Sequence, residues 1–450
     1  MNAPRHYAVI GAGWAGCAAA VTLCAAGHRV SLFESARTLG GRARRVDADE
    51  RVLDNGQHIL LGAYTACLKL MKQVGVAPSA ALLRLPLQMR YPLEAGADGM
   101  DFAAPRLPAP LHVAVALLRA KGLPREDKMA LARFSTTARW MGWQLHQDCS
   151  VAELLERYEQ TPRIIRLMWH PLCIAALNTP PERASAQVFL NVLRDSLGAR
   201  RAASDMLIPR VDLSALLPEA AAAYLEKHGG LAHAGTAVAR LLPGADGAWR
   251  LEDRQGENLG EFAGVTIATG PDAAAQLLDG LDGLRDAYDM APLRALTHEA
   301  ITTCYLQYDA GVRLAQPFYA LADDPARQAW GQFVFDRGQL GGDAGLLAVV
   351  VSAAGHAIAD GHAALEQGIV RQLANDFGRQ DLSNPQWRKL ITEKRATFSC
   401  APGLQRPTND GLPPGLALAG DYVAGDYPNY PATLEGAVRS GTAAALLLAS

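Results

Sequence analysis

The apolar positions of this chain come in distinct kinds of run. Residues 7–10 and 30–33 are short and unbroken, as in strands buried on both faces of a parallel sheet. Residues 15–26 between them are Ala-rich and stop at Gly27, which predicts a buried helix with a glycine end. Residues 64–74 repeat with helical period and predict an amphipathic helix. Residues 42–46 and 52–53 read as strands, followed by a turn at Asp54, Asn55 and Gly56.

From Leu82 the pattern changes, broken by Pro86, Pro92, Pro105, Pro108 and Pro110. The apolar stretch 107–118 lies between Arg106 and the pair Arg119 and Lys121. It is too short to span a bilayer, as is every other apolar segment, and reads as a core helix of a second domain or as a segment dipping into a membrane surface. Residues 127–197 are mostly helical, with a start at Thr161-Pro162, an interruption at Trp169-His170-Pro171 and a loop at 178–182. Residues 204–212 lead into a helix ending near Gly229-Gly230. Strands follow at 235–242, 248–252 and 262–270, and again at 299–308 and 346–352. The glycine-rich stretch 338–345 lacks a strand-helix frame and reads as a hairpin loop. A last strand ends at Gly420-Asp421, before an Ala-rich terminal helix.

The glycines give the first strands a chemistry. Gly11, Gly13 and Gly16 follow strand 7–10 at once and open the helix, with Trp14 and Ala15 between them. Alone, such a triplet is compatible with an ordinary tight turn. Here Glu34 closes the second strand, eighteen residues after Gly16. That is a dinucleotide-binding unit: a glycine turn for the pyrophosphate, a helix N-terminus for its charge and an acid for the ribose. Ser35 follows the acid, and Gly40-Gly41-Arg42 lies just beyond. Two glycines let backbone approach a ligand, and an Arg reaches a phosphate or a ring edge.

At 450 residues the chain predicts two domains. A net charge of −2 gives no reason to expect nucleic acid. The seven cysteines are scattered with no Cys-x-x-Cys pair, so free thiols in a reducing compartment are expected. The first residues run straight into a strand, so no secretory leader is expected.

The order of glycine triplet, acid and Gly-Gly-Arg resembles the FAD-binding start of the flavin amine oxidase and phytoene desaturase superfamily. The tail, with Gly420-Asp421 and then 431–437, resembles its flavin-binding end. The resemblance implies an α/β fold: a Rossmann-like FAD domain (1–85, 205–290, 396–450) and a discontinuous α+β substrate domain (86–204, 291–395). It implies FAD held by Gly11, Gly13, Trp14, Ala15, Gly16, Glu34, Ser35, Gly41, Arg42, Gly56, Gln57, His58, Val238, Gly420, Asp421, Thr433 and Leu434. Val238 would meet the adenine, Asp421 the ribityl chain, and Gln57 and His58 the flavin ring. The helix after Thr433 would aim its N–H groups at the flavin edge and stabilise the reduced anion. No metal is expected.

Amine oxidases commonly carry an aromatic residue at the position of Thr433, so an amine cage lacks one wall. Residues 54–58, 175–180, 204–210, 393–398 and 432–441 are similar instead to the squalene-associated FAD-dependent desaturases, the hydroxysqualene dehydroxylases of bacterial hopanoid synthesis. Residues 425–430 are longer than that branch implies. The implied reaction removes an allylic hydroxyl as water and delivers hydride from flavin N5. Hydroxide leaves poorly, so an acid is needed. Asp205 is the first candidate, then His58 and His170, while Asp205 could instead cap the following helix. Alternatives are an isoprenoid desaturase using oxidised FAD, an amine oxidase, and a non-catalytic lipid-binding scaffold. Expected partners are a long isoprenoid substrate, a separate reductant for the flavin and a peripheral membrane contact. The expected location is the cytoplasm, peripheral on the inner membrane face.

Overall fold

The computed structural model describes residues 3–93, 99–359, 361–425 and 430–450. The expectation about 425–430 falls largely on 426–429, outside the described residues. A five-stranded parallel sheet organises the amino-terminal motif, in the spatial order Leu231–Ala234, Arg29–Glu34, His6–Ile10, Gly264–Ile267, Leu416–Leu418. The chain therefore enters this sheet from its head, its middle and its tail. Ala8, Val9, Val30 and Leu32 are fully buried, as unbroken apolar strands require.

The helix Trp14–Ala25 is buried along most of its length, which is why it is apolar all round rather than amphipathic. It packs backbone to backbone against the terminal helix Leu434–Ala449. A Cβ on Gly441 would stand 2.0 Å from the carbonyl oxygen of Ala15. Tyr7 ties the same junction by donating to the carbonyl of Leu448 at 3.1 Å.

A second five-stranded sheet, antiparallel, runs in the order Phe318–Ala320, Phe333–Asp336, Leu346–Ser352, His298–Gln307, Trp387–Phe398. The central strand Leu346–Ser352 is buried on both faces. Leu347, Val349 and Val351 pack with the helix His362–Phe377, while Leu346, Ala348 and Val350 face the larger core. Residues 338–345 join two antiparallel neighbours of this sheet, as the hairpin reading required. All seven cysteines are free.

Four expectations change. Residues 262–270 are not one strand. Asn258–Phe262 belongs to a separate three-stranded sheet, and only Gly264–Ile267 joins the parallel one. Leu231–Ala234 and Met206–Pro209 are strands that no apolar alternation announced. The helix after Asp205 is capped by Asp212, whose side chain accepts from Ser214 and Ala215.

The fourth concerns Pro171. The helix does not break at Trp169-His170-Pro171: a π-helical turn, Ile165–Trp169, leads directly into His170–Leu177. A proline inside a helix leaves the carbonyl four residues back without its usual donor. That carbonyl is Leu167, and it accepts instead from the hydroxyl of the buried Tyr91 at 3.0 Å.

Candidate functional site

The glycine turn has the geometry its residues demand. Gly11 has φ +99, and a Cβ on it would meet the carbonyl of Ala268 at 2.7 Å. Gly16 passes so near Gly11 that a Cβ would lie 1.8 Å from its oxygen. Gly13 and Gly41 face each other across bare backbone: a Cβ on Gly41 would be 3.1 Å from the Cα of Gly13. Residues 11–16 and 40–42, distinct in sequence, thus form one cradle.

Glu34 ends its strand against this turn. One carboxylate oxygen accepts from Ala12 N at 2.8 Å, the other from Ala36 N at 2.9 Å and Ser35 Oγ at 3.3 Å. Thr236 N donates to the carbonyl of Glu34, so the segment leading into Val238 is tied beside the acid. Val238 itself opens the strand Val238–Pro243.

An ion pair also joins the tail to the head. Arg42 donates to Asp421 Oδ1 at 2.7 Å and to the carbonyl of Ala396 at 2.7 Å. Gly420 N donates to Ser440 Oγ in the terminal helix. Thr433 caps that helix by accepting from Gly436 N, directly before Leu434. Three residues that sequence reasoning did not select hold this region. Arg406 donates to the carbonyls of Asp421, Tyr422, Val423 and Tyr430. Asn409 brackets Leu418 from both sides. Glu435 accepts from Ala66 N and Cys67 N and so caps the helix Thr65–Gln73. None has a local signature, because each acts on backbone brought from elsewhere.

Around Gly56 the expected ring-facing residues divide. Gln57 turns to the second sheet, donating to Tyr305 Oη at 2.8 Å and accepting from Arg337 at 3.2 Å. His58 stays near Gly56: a Cβ on that glycine would lie 3.9 Å from His58 Cε1 and 4.0 Å from Thr303 Oγ1. Burial lowers the pKa of His58, which favours the neutral ring. Asp54, at the start of this motif, is pushed up to about 6 by burial, against the opposing pull of Arg337.

The other two acid candidates are placed differently. Asp205 is buried, and its carboxylate accepts from Arg84 at 2.8 Å and from Arg201 at 3.0 Å. A carboxylate held by two guanidinium groups anchors structure; a proton donor needs an O–H free to meet substrate. Asp205, expected as the first acid, is instead occupied as a structural anchor. His170 also has its pKa lowered by burial, partly offset by Glu182 and Asp323.

Beside these motifs lies a cavity of about 880 Å³. Asp421, Thr433 and Gly436 line one part, and Met89, Phe102, Met168, Trp169, Phe318 and Phe333 line another. None of His58, Asp205 and His170 is among the side chains that line it, although their neighbours Ile59, Ser204, Met206, Trp169 and Leu172 are.

The residues fit a flavin dinucleotide. At Gly13 a Cβ would have only the Cα of Gly41 within 4 Å, at 3.9 Å, so the cradle leaves space there that a side chain would take. Two buried polar atoms at the same motifs, Trp14 Nε1 and Thr303 Oγ1, have no partner among the described residues. Buried orphans of this kind cost about 1–3 kcal/mol each, and a ligand rich in polar edges can answer them.

Comparison with known proteins agrees. The family model for flavin containing amine oxidoreductases matches residues 14–448. The hydroxysqualene dehydroxylase of Rhodopseudomonas palustris is 29% identical over 464 residues, 98% of this chain and 97% of that protein. The same-named protein of Sinorhizobium fredii is 26% identical and covers 99% of both chains. Among solved structures, an oxidoreductase from Methanosarcina mazei superposes with a TM-score of 0.72 at 18% identity, covering 97% of this chain and 99% of that one. That likeness establishes the fold. The chain belongs to the flavin-containing amine oxidoreductase family and is an FAD-dependent oxidoreductase.

Proposed function

We propose that this protein reduces hydroxysqualene to squalene, an isoprenoid step of hopanoid synthesis. The observation that carries the reading is the cavity: its wall is largely apolar, and it extends from Asp421 and Thr433 to a lining of Phe, Met and Trp side chains. A long hydrocarbon suits such a wall, and the near full-length relatives named for hydroxysqualene support it.

Bound and reduced FAD would supply a hydride to the carbon that loses its hydroxyl. The chain does the rest. The glycine cradle and Glu34 would take the pyrophosphate and ribose, Asp421 the ribityl hydroxyls, and the Thr433-capped helix the ring edge. The apolar wall excludes water, so the delocalised allylic cation meets few competing nucleophiles.

We place the protein in the cytoplasm, touching the inner membrane face through its second domain. Leu111, Leu118, Met129 and Trp140 are exposed there, amid Arg119, Lys121 and Lys128. Among the described residues no helix is long and apolar enough to cross a membrane. The flavin's electrons would come from a separate donor.

The test is an anaerobic assay of photoreduced enzyme with hydroxysqualene. Squalene formed in step with flavin reoxidation supports the reading. No turnover, or dehydrogenation of squalene by the oxidised enzyme, counts against it.

A further inference from the structure

Among the described residues, the cavity wall carries a buried polar group that the protein itself does not use. Gln88 begins the short strand Gln88–Arg90, which pairs with Asp101–Ala103. It lines the cavity, yet is only 5% exposed. Its amide nitrogen is buried without a partner among the described residues.

Other buried or half-buried polar side chains on the same wall are already occupied. Ser135, Ser196 and Thr442 each return a hydroxyl to a carbonyl one helical turn back. Ser204 donates to the carbonyl of Arg201, Asn409 brackets Leu418, and Asp421 pairs with Arg42. Gln88 therefore stands out by elimination as well as by its own isolation. A buried amide without partners is a standing cost, retained where function needs the group.

We infer that the Gln88 carboxamide reads the oxygen of the substrate, selecting an alcohol over the hydrocarbon otherwise identical to it. A carboxamide offers two N–H donors and a carbonyl acceptor, and a hydroxyl can both accept and donate. An oxygen-bearing isoprenoid satisfies the amide. The hydrocarbon product leaves it unpaired again, which weakens the hold on product. Gln88 is thus a specificity-determining residue, and the inference rests on the reading that the cavity takes an isoprenoid alcohol.

Oxidised enzyme allows the test at equilibrium, because it holds no hydride to transfer. Hydroxysqualene and squalene are titrated separately into wild-type protein and Gln88→Met, following the flavin absorbance. The wild type should prefer the alcohol by about ten- to a hundredfold, the worth of one buried polar group left unpaired. Gln88→Met should bring the two affinities together by weakening the alcohol alone. It should also melt no lower than wild type, since an orphaned amide gives way to a methyl thioether of similar volume. Undiminished preference in Gln88→Met would overturn the inference and assign the amide to an ordered water. Equal weakening for both ligands, or loss of flavin, would also overturn it, making Gln88 part of the wall's shape only. Failure of wild-type enzyme to bind hydroxysqualene would instead sink the proposed function, and is read separately.

Discussion

Gly441→Ala adds one methyl group, and two principles predict opposite outcomes for it. Ala favours a helix over Gly by about 1 kcal/mol, so propensity alone makes the variant more stable. The structure says otherwise. The new Cβ would stand 2.0 Å from the carbonyl oxygen of Ala15 and 2.8 Å from its carbon. Ordinary contacts begin near 3.4 Å. The helices Trp14–Ala25 and Leu434–Ala449 must separate by more than an ångström, and the obstacle is backbone, not a side chain that can swing away. Overpacking of this kind costs about 1–3 kcal/mol, and backbone against backbone belongs at the upper end. Taking about 3 and subtracting the helix gain of about 1 leaves a net loss of about 2 kcal/mol.

Unfolding entropy near 2.1 cal/mol/K per residue, over 450 residues, makes that a fall in Tm of about 2 °C for one cooperative unit. The sign is the test, read by calorimetry on the holoprotein. Gly355→Ala, at the start of a helix with nothing within 4 Å of its Cβ, is the control and should not melt lower. Flavin content should fall in Gly441→Ala as well, because these helices carry the cofactor motifs at their N-terminal ends. A melting point at or above wild type, with full flavin, would refute the argument that this contact sets the helix spacing.

Three further outcomes are expected. Tyr91→Phe should cost about 1–3 kcal/mol by orphaning the Leu167 carbonyl. Adding Pro171→Ala should recover part of it, since an alanine N–H can serve that carbonyl; additive losses in chemical denaturation would disprove the coupling. Asp54 has its pKa raised from 3.8 to about 6, so its charge opposes folding above pH 6, and the penalty is relieved as pH falls from 6 toward 3.8. Asp54→Asn should therefore be more stable than wild type by about 2–3 kcal/mol at pH 7.5, with the advantage gone near pH 4; an advantage independent of pH would exclude the linkage. Vesicles containing anionic lipid should co-sediment the protein, and Leu118→Asp with Trp140→Ser should reduce that binding at low salt; unchanged binding would remove this exposed apolar face as the contact.

Much of the fold was legible because its evidence is local. An apolar strand, a glycine turn and a closing acid declare themselves within forty residues, and glycine spacing matters for what a missing side chain permits. The same held for the tail, where Gly420-Asp421 and the Thr433 cap are short-range chemistry. The edge strand Leu231–Ala234 was not legible: its residues are exposed or half-buried, so it owes its place to pairing with Arg29–Glu34 rather than to a periodic core face. Pro171 misled because a helix break is the local expectation, and the hydroxyl that rescues the freed carbonyl comes from Tyr91, 76 residues from Leu167.

The amino-acid order by itself determined which groups exist and which turns and strands they favour. Only the tertiary structure decided their employment. It joined Arg42 to Asp421 across 379 positions, committed Asp205 to two arginines, turned Gln57 to Tyr305 and left Gln88 alone on an apolar wall. The physical reason is that a polar side chain's role depends on whether its hydrogen bonds are already filled. The groups that fill them, or fail to, are set by packing between segments far apart in the chain.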